Sequence, residues 1–164
     1  MQYLRSATLA LGLLSSIATS LSFAQSLDAR LQGCATCHGV DGNSALPNIP
    51  SLAGQPRVFL ENQMVVIREG LREIPAMKGQ LEGVNDATII AMAKFYASQN
   101  VKSSPAQKNQ VLYEKGQVIS KEALCGTCHL PNYVGRDQIP RIAGQREDYL
   151  LYSMRQFQIG RAHV

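Results

Sequence analysis

The sequence predicts an all-α protein made of two tandem copies of one helical module, the second copy incomplete. Three observations carry this. Apolar residues recur at three- and four-residue steps, and no run alternates as a half-buried strand would. A long segment returns once, at an offset of 90 positions. Each copy contains a pair of cysteines followed directly by a histidine.

The elements follow in order. Residues 1–5 carry one positive charge, residues 7–17 are mostly apolar, and Ser22-Phe23-Ala24 offers small residues at the positions a signal peptidase reads. Residues 1–24 are therefore a secretory leader rather than an anchor, since the apolar stretch is well short of the roughly 20 residues that span a bilayer. Ser26 and Asp28 suit a helix start, with Leu27 and Leu31 on one face leading to Cys34. A Gly/Pro/Asn-rich loop runs from Asn43 to Pro50. After Pro56, tolerated in a first turn, Phe59, Leu60, Met64 and Ile67 fall at helical spacing. Asn85 and Asp86 cap a further helix whose apolar residues are Ile89, Ile90, Met92, Ala93, Phe95 and Tyr96. The polar break of residues 101–105 divides a first domain, residues 25–100, from a second, residues 106–164, which opens on a helical stretch from Gln110 to Ser120. Adding the offset to Met77 points past Val164, and the last capped helix has no second copy, so the second domain reads as a fragment.

The chain of 164 residues holds 16 Lys and Arg against 12 Asp and Glu, a formal net charge of +4. With Arg5 removed, 15 basic residues face 12 acidic ones, and they are scattered, so no nucleic-acid footprint is present. Nothing after the leader is long and apolar enough to span a membrane, although loose association with one is allowed. Trp is absent and aromatic residues make up only 6%. Two domains of about 70 residues with such thin cores sit at the size where an added staple is needed.

The staple is legible in the repeat. Cys34-Ala35-Thr36-Cys37-His38 returns as Cys125-Gly126-Thr127-Cys128-His129. C-x-x-C-H is the pattern of covalent haem attachment: two thiols one helical turn apart bond the vinyl groups of one porphyrin, and the next histidine meets its iron. Both copies together use all four cysteines and two of the three histidines, predicting two covalently bound haem c groups. A zinc site wants cysteine pairs about 15–20 residues apart, whereas 88 positions separate Cys37 from Cys125. A thioredoxin-like pair wants a βαβ setting, and disulfides, though permitted after export, explain neither the histidines nor the repeat.

A methionine thioether is a common second axial ligand and raises the reduction potential. Met77, in the loop Pro75-Ala76-Met77-Lys78-Gly79, is the candidate, because a ligand needs a loop able to approach the iron. Met64 and Met92 lie on apolar helical faces and read as core, and so by repetition does Met154. His163, near the chain end, reads as solvated, leaving the sixth ligand of the second haem to a methionine beyond Val164. Pro50 and Pro140 follow their histidines by 12 and 11 residues. They either present a carbonyl to the histidine's free ring N–H or merely stiffen a loop.

Beyond the cysteines, Pro50-Ser51-Leu52-Ala53-Gly54-Gln55 answers to Pro140-Arg141-Ile142-Ala143-Gly144-Gln145. With the Gly70-Leu71-Arg72 turn, the methionine loop and the closing Ala93-Lys94-Phe95-Tyr96-Ala97-Ser98-Gln99 helix, the chain resembles the class I cytochromes c, and the cytochrome c4 family in particular. The resemblance implies two tandem class I cytochrome c-like domains related by a pseudo-twofold axis. It implies a periplasmic electron carrier, fed by a quinol-oxidising complex or dehydrogenase and emptied by a terminal oxidase. Cys34, Cys37, His38 and Met77 would serve one haem, and Cys125, Cys128 and His129 the other.

No paired carboxylates or nucleophile–base arrangement asks for an enzyme, and Arg57, Arg72 and Arg146 read as solvated rather than as propionate partners. The rival functions are a cytochrome subunit held by a periplasmic dehydrogenase, which buries a large patch, and a haem peroxidase, which needs an open axial position.

Overall fold

The computed structural model describes residues 27–102 and 109–160; the leader, Ser26, residues 103–105 of the break and His163 lie outside these. Among the described residues the regular elements are all helical. Residues 27–38 form α1, Arg57–Arg68 form α2, and a short 3-10 turn spans Pro75–Met77. Asp86–Ala97 form α3, Gln110–Glu122 α4, Cys125–His129 α5 and Glu147–Gln158 α6.

In the first module the caps and faces are those the periodicity predicts. The Asn85 side chain accepts from the Thr88 N–H at 2.9 Å and starts α3, while Pro56 stands just outside α2, at its N-cap. α3 packs across α2, burying Leu60, Ile89, Met92, Ala93 and Tyr96. Leu27, Leu31 and Cys34 of α1 close the same core, and Met64 packs on it from α2. Each fully buried Ile or Met contributes roughly 1.5–3 kcal/mol, so this small core rests on very few side chains.

The second module repeats the order of the first up to α6, except that the helix leading to its cysteines is broken: α4 ends at Glu122, and Leu124, at φ +56°, separates it from α5. Its Met154 does not follow Met64 into a core: it is 63% exposed, as are Leu112, Ile119 and Phe157 to similar degrees. The expectation fails because burial needs a covering element. α3 covers α2, but among the described residues nothing takes that place over α6.

The two modules meet through their repeated P-x-L/I-A-G-Q segments. Gln55 donates from Nε2 to the Arg141 carbonyl at 2.8 Å and accepts the Arg141 N–H at 2.9 Å. Gln145 donates to the Ser51 carbonyl and accepts the Ser51 N–H, both at 2.8 Å. Residues 51 and 141, like 55 and 145, are repeat equivalents, so each pair of bonds has a counterpart with roles exchanged, as a twofold arrangement requires. Val101, read from sequence as part of a polar break, packs between the repeat-equivalent Gly54 and Gly144. A Cβ on either would come within 2.5 or 2.6 Å of a Val101 methyl. Lys102 is tied down too, its N–H donating to Asn43 Oδ1 at 2.9 Å and its ammonium pairing with Asp41.

Candidate functional site

α1 ends on the first cysteine–histidine motif, placing Cys34 and Cys37 one turn apart with His38 at the helix end. All four cysteines are unpaired thiols; Cys34 is half-buried and Cys37 exposed. His38 is buried, and its Nδ1 lies 2.8 Å from the Pro50 carbonyl oxygen. A carbonyl can only accept, so Nδ1 carries the proton and Nε2 keeps its lone pair for a metal. Burial holds the His38 pKa below its ordinary value, with the Pro50 carbonyl opposing that shift. The ring is therefore neutral near pH 7, the state that binds metal.

The loop between His38 and Pro50 is folded back to make this contact. The Gly42 carbonyl accepts from the Leu52 and Ala53 N–H groups at 2.7 and 3.1 Å. The Ser44 hydroxyl donates to the Cys37 carbonyl at 2.9 Å, and the Ser44 N–H donates to the Ser51 hydroxyl at 3.1 Å. The second module repeats the device. There the Tyr133 carbonyl accepts from Ile142 and Ala143, and His129 Nδ1 lies 2.8 Å from the Pro140 carbonyl oxygen. Of the two readings of these prolines, the structure selects the carbonyl presented to the histidine. An oriented imidazole whose free N–H is engaged is a stronger donor to a metal.

Met77 sits in the Pro75–Met77 turn, half-buried, and packs on the cluster of Leu81, Val84, Ile89 and Met92 that Cys34 also borders. Tyr96 lies beside Cys34. Its hydroxyl is buried against the Cys34 thiol, and its pKa is pushed up by burial and then by that neighbouring thiol. Burial likewise pushes the Cys34 thiol up. Two unpaired thiols on one turn and a neutral buried histidine with Nε2 free fit a haem c. A joint zinc centre is not formed: among the described residues, no three His, Cys, Asp or Glu side chains converge.

Sequence reasoning missed Tyr96, seen only as part of an apolar face, and it missed the glutamines. The signal for the glutamines was the retention of Gln55 and Gln145 in both copies at matching positions. Arg146 is a correction as well. It is not simply solvated: it pairs with Asp148 at 2.8 Å and donates to the Ser44 carbonyl of the first module at 3.2 Å. Asp148 accepts the Asn48 N–H across the same boundary. Arg57 pairs with Glu61, and Arg72 bonds the Gln63 side chain.

Residues 29–95 match the family model described as cytochrome c oxidase, cbb3-type, subunit III. A cytochrome c4 of Pseudomonas aeruginosa is 34% identical over 134 residues, covering 77% of this chain and 67% of that protein. The crystal structure of reduced recombinant cytochrome c4 from Pseudomonas stutzeri is similar at a TM-score of 0.76 and 30% identity, covering 85% of this chain and 82% of the other. A thiosulfate dehydrogenase from Marichromatium purpuratum is similar at a TM-score of 0.66 and 27% identity, covering 80% of this chain but 30% of that one.

Proposed function

The chain belongs to the cytochrome c4 family, and on that premise we propose that it is a periplasmic dihaem carrier moving electrons from a quinol-oxidising complex or dehydrogenase to a terminal oxidase. Covalent haem c is the cofactor of the family, and it supplies the chemistry, exchange of one electron between ferrous and ferric iron. The chain's own residues hold and tune it. Cys34 and Cys37 tether one group and Cys125 and Cys128 the other, with His38 and His129 as axial ligands and Met77 completing the first site. The domains are residues 25–100 and 106–164, joined by residues 101–105, and residues 1–24 direct export.

One observation carries the reading. Both modules fold a loop so that a proline carbonyl takes the Nδ1 proton of the motif histidine, at 2.8 Å each time. That arrangement orients an imidazole for a metal on its other nitrogen. The similarity to a thiosulfate dehydrogenase favours a second reading, a cytochrome subunit serving a dehydrogenase. Gel filtration of a native extract separates them: a diffusible carrier elutes at its own size, whereas a subunit elutes with its catalytic partner. Reduced protein that cannot be reoxidised by any high-potential acceptor would contradict both.

A further inference from the structure

We propose that Gln55 and Gln145 are positioning residues that act across the module boundary, each setting the donor strength of the other module's histidine ligand. The inference rests on the haem reading of His38 and His129. Its basis is one peptide unit on each side. The Pro50 carbonyl accepts from His38, and the N–H of that same peptide, on Ser51, donates to Gln145 Oε1 at 2.8 Å. Symmetrically, the Pro140 carbonyl accepts from His129, and the N–H of its peptide, on Arg141, donates to Gln55 Oε1 at 2.9 Å. Each glutamine also donates back to the carbonyl of residue 51 or 141, which fixes the orientation of its amide.

The chain of bonds has a direction. An acceptor on the peptide N–H pushes electron density toward the peptide carbonyl, and hydrogen bonds in series strengthen one another by about 10–30% each at low dielectric. In the chain from Gln145 to His38, Ser51 and His38 are buried and Gln145 is half-buried; in the chain from Gln55 to His129, Gln55 is buried and Arg141 and His129 are half-buried, so both run largely out of water. A richer carbonyl pulls harder on the Nδ1 proton, makes Nε2 a better donor and favours ferric iron. Each module's ligand therefore depends on a side chain that its partner supplies. Docking of the two modules sets the potentials of both irons.

The substitutions that test this are Gln145→Met and Gln55→Met, which keep length and remove the acceptor, with Gln145→Glu as the variant that retains it. In the 15N-labelled, reduced, haem-loaded chain, Q145M should move the His38 Nδ1–H resonance and leave that of His129 in place. It should also favour reduction at the haem on Cys34 and Cys37 by about threefold, close to 30 mV at 59 mV per decade. Q55M should do the reverse, acting on His129. Q145E should keep the His38 resonance at or beyond its wild-type position. Equal shifts at both histidines, or a shift confined to the substituted glutamine's own module, would overturn the proposal. Amide exchange in the wild-type chain gives a second test independent of the variants' folding: protected Ser51 and Arg141 N–H groups support the clamp, and exchange at the rate of open loops refutes it. A wild-type chain without covalent haem would instead defeat the parent reading, and the exchange result would still decide the clamp.

Discussion

Replacing Gly54 with alanine tests the packing between the modules. Gly54 has φ +62°, and an added Cβ would lie 2.5 Å from Val101 Cγ2. The left-handed backbone costs an alanine about 1–2 kcal/mol. Crowding a packed contact adds about 1–3 kcal/mol. Gly79 separates the two effects, because its φ is +76° but a Cβ there meets nothing within 4 Å. Guanidinium unfolding of the haem-loaded chain, followed by far-UV circular dichroism, should therefore find Gly54→Ala less stable than Gly79→Ala by about 1–3 kcal/mol. Adding Val101→Ala to Gly54→Ala should recover much of that difference, since residues in contact couple by about 0.5–3 kcal/mol. If G54A is no worse than G79A, or V101A gives no relief, Val101 is not wedged between the modules.

Three further outcomes follow from the same structure. Met77→Ala should open one axial position, seen as carbon monoxide binding to the reduced protein and a lower potential for one haem; unchanged spectra would remove Met77 as a ligand. Asn85→Ala should destabilise the first module by about 1 kcal/mol through loss of the α3 cap, and an effect below a few tenths would refute that role. The Arg146 guanidinium, with the Asn48 and Tyr149 N–H groups, holds the Asp148 carboxyl at about 2 against an ordinary 3.8. A depressed folded pKa means that the contact is intact above about pH 4 and is lost as pH falls through about 2. The Asn48 amide resonance should follow that titration and lose it in Asp148→Asn; a midpoint near 4 would contradict the pairing.

What the sequence revealed and what it hid divide along the range of the forces involved. The C-x-x-C-H spacing is local covalent geometry, and the Asn85 cap and the Leu60–Met64 face are local helical geometry, so each could be read within a few residues. The His38–Pro50 contact was legible as one of two options, because loop length allowed it without requiring it. The reciprocal bonds of Gln55 and Gln145 join residues 86 and 94 positions apart, and no local pattern reports them. Val101 looked like part of a polar break because its neighbours are polar, while its packing depends on two glycines from different modules. Met154 is exposed because, among the described residues, no helix lies over α6 as α3 lies over α2.

The central claim is that each cysteine–histidine motif holds its own haem. Intact-mass analysis of the chain, matured in a host competent for haem attachment and then extracted with acid acetone, tests it most directly. Two haem masses should persist on the polypeptide, falling to one when Cys34 and Cys37, or Cys125 and Cys128, are both replaced by alanine. A polypeptide that keeps a single haem, or none, would contradict it.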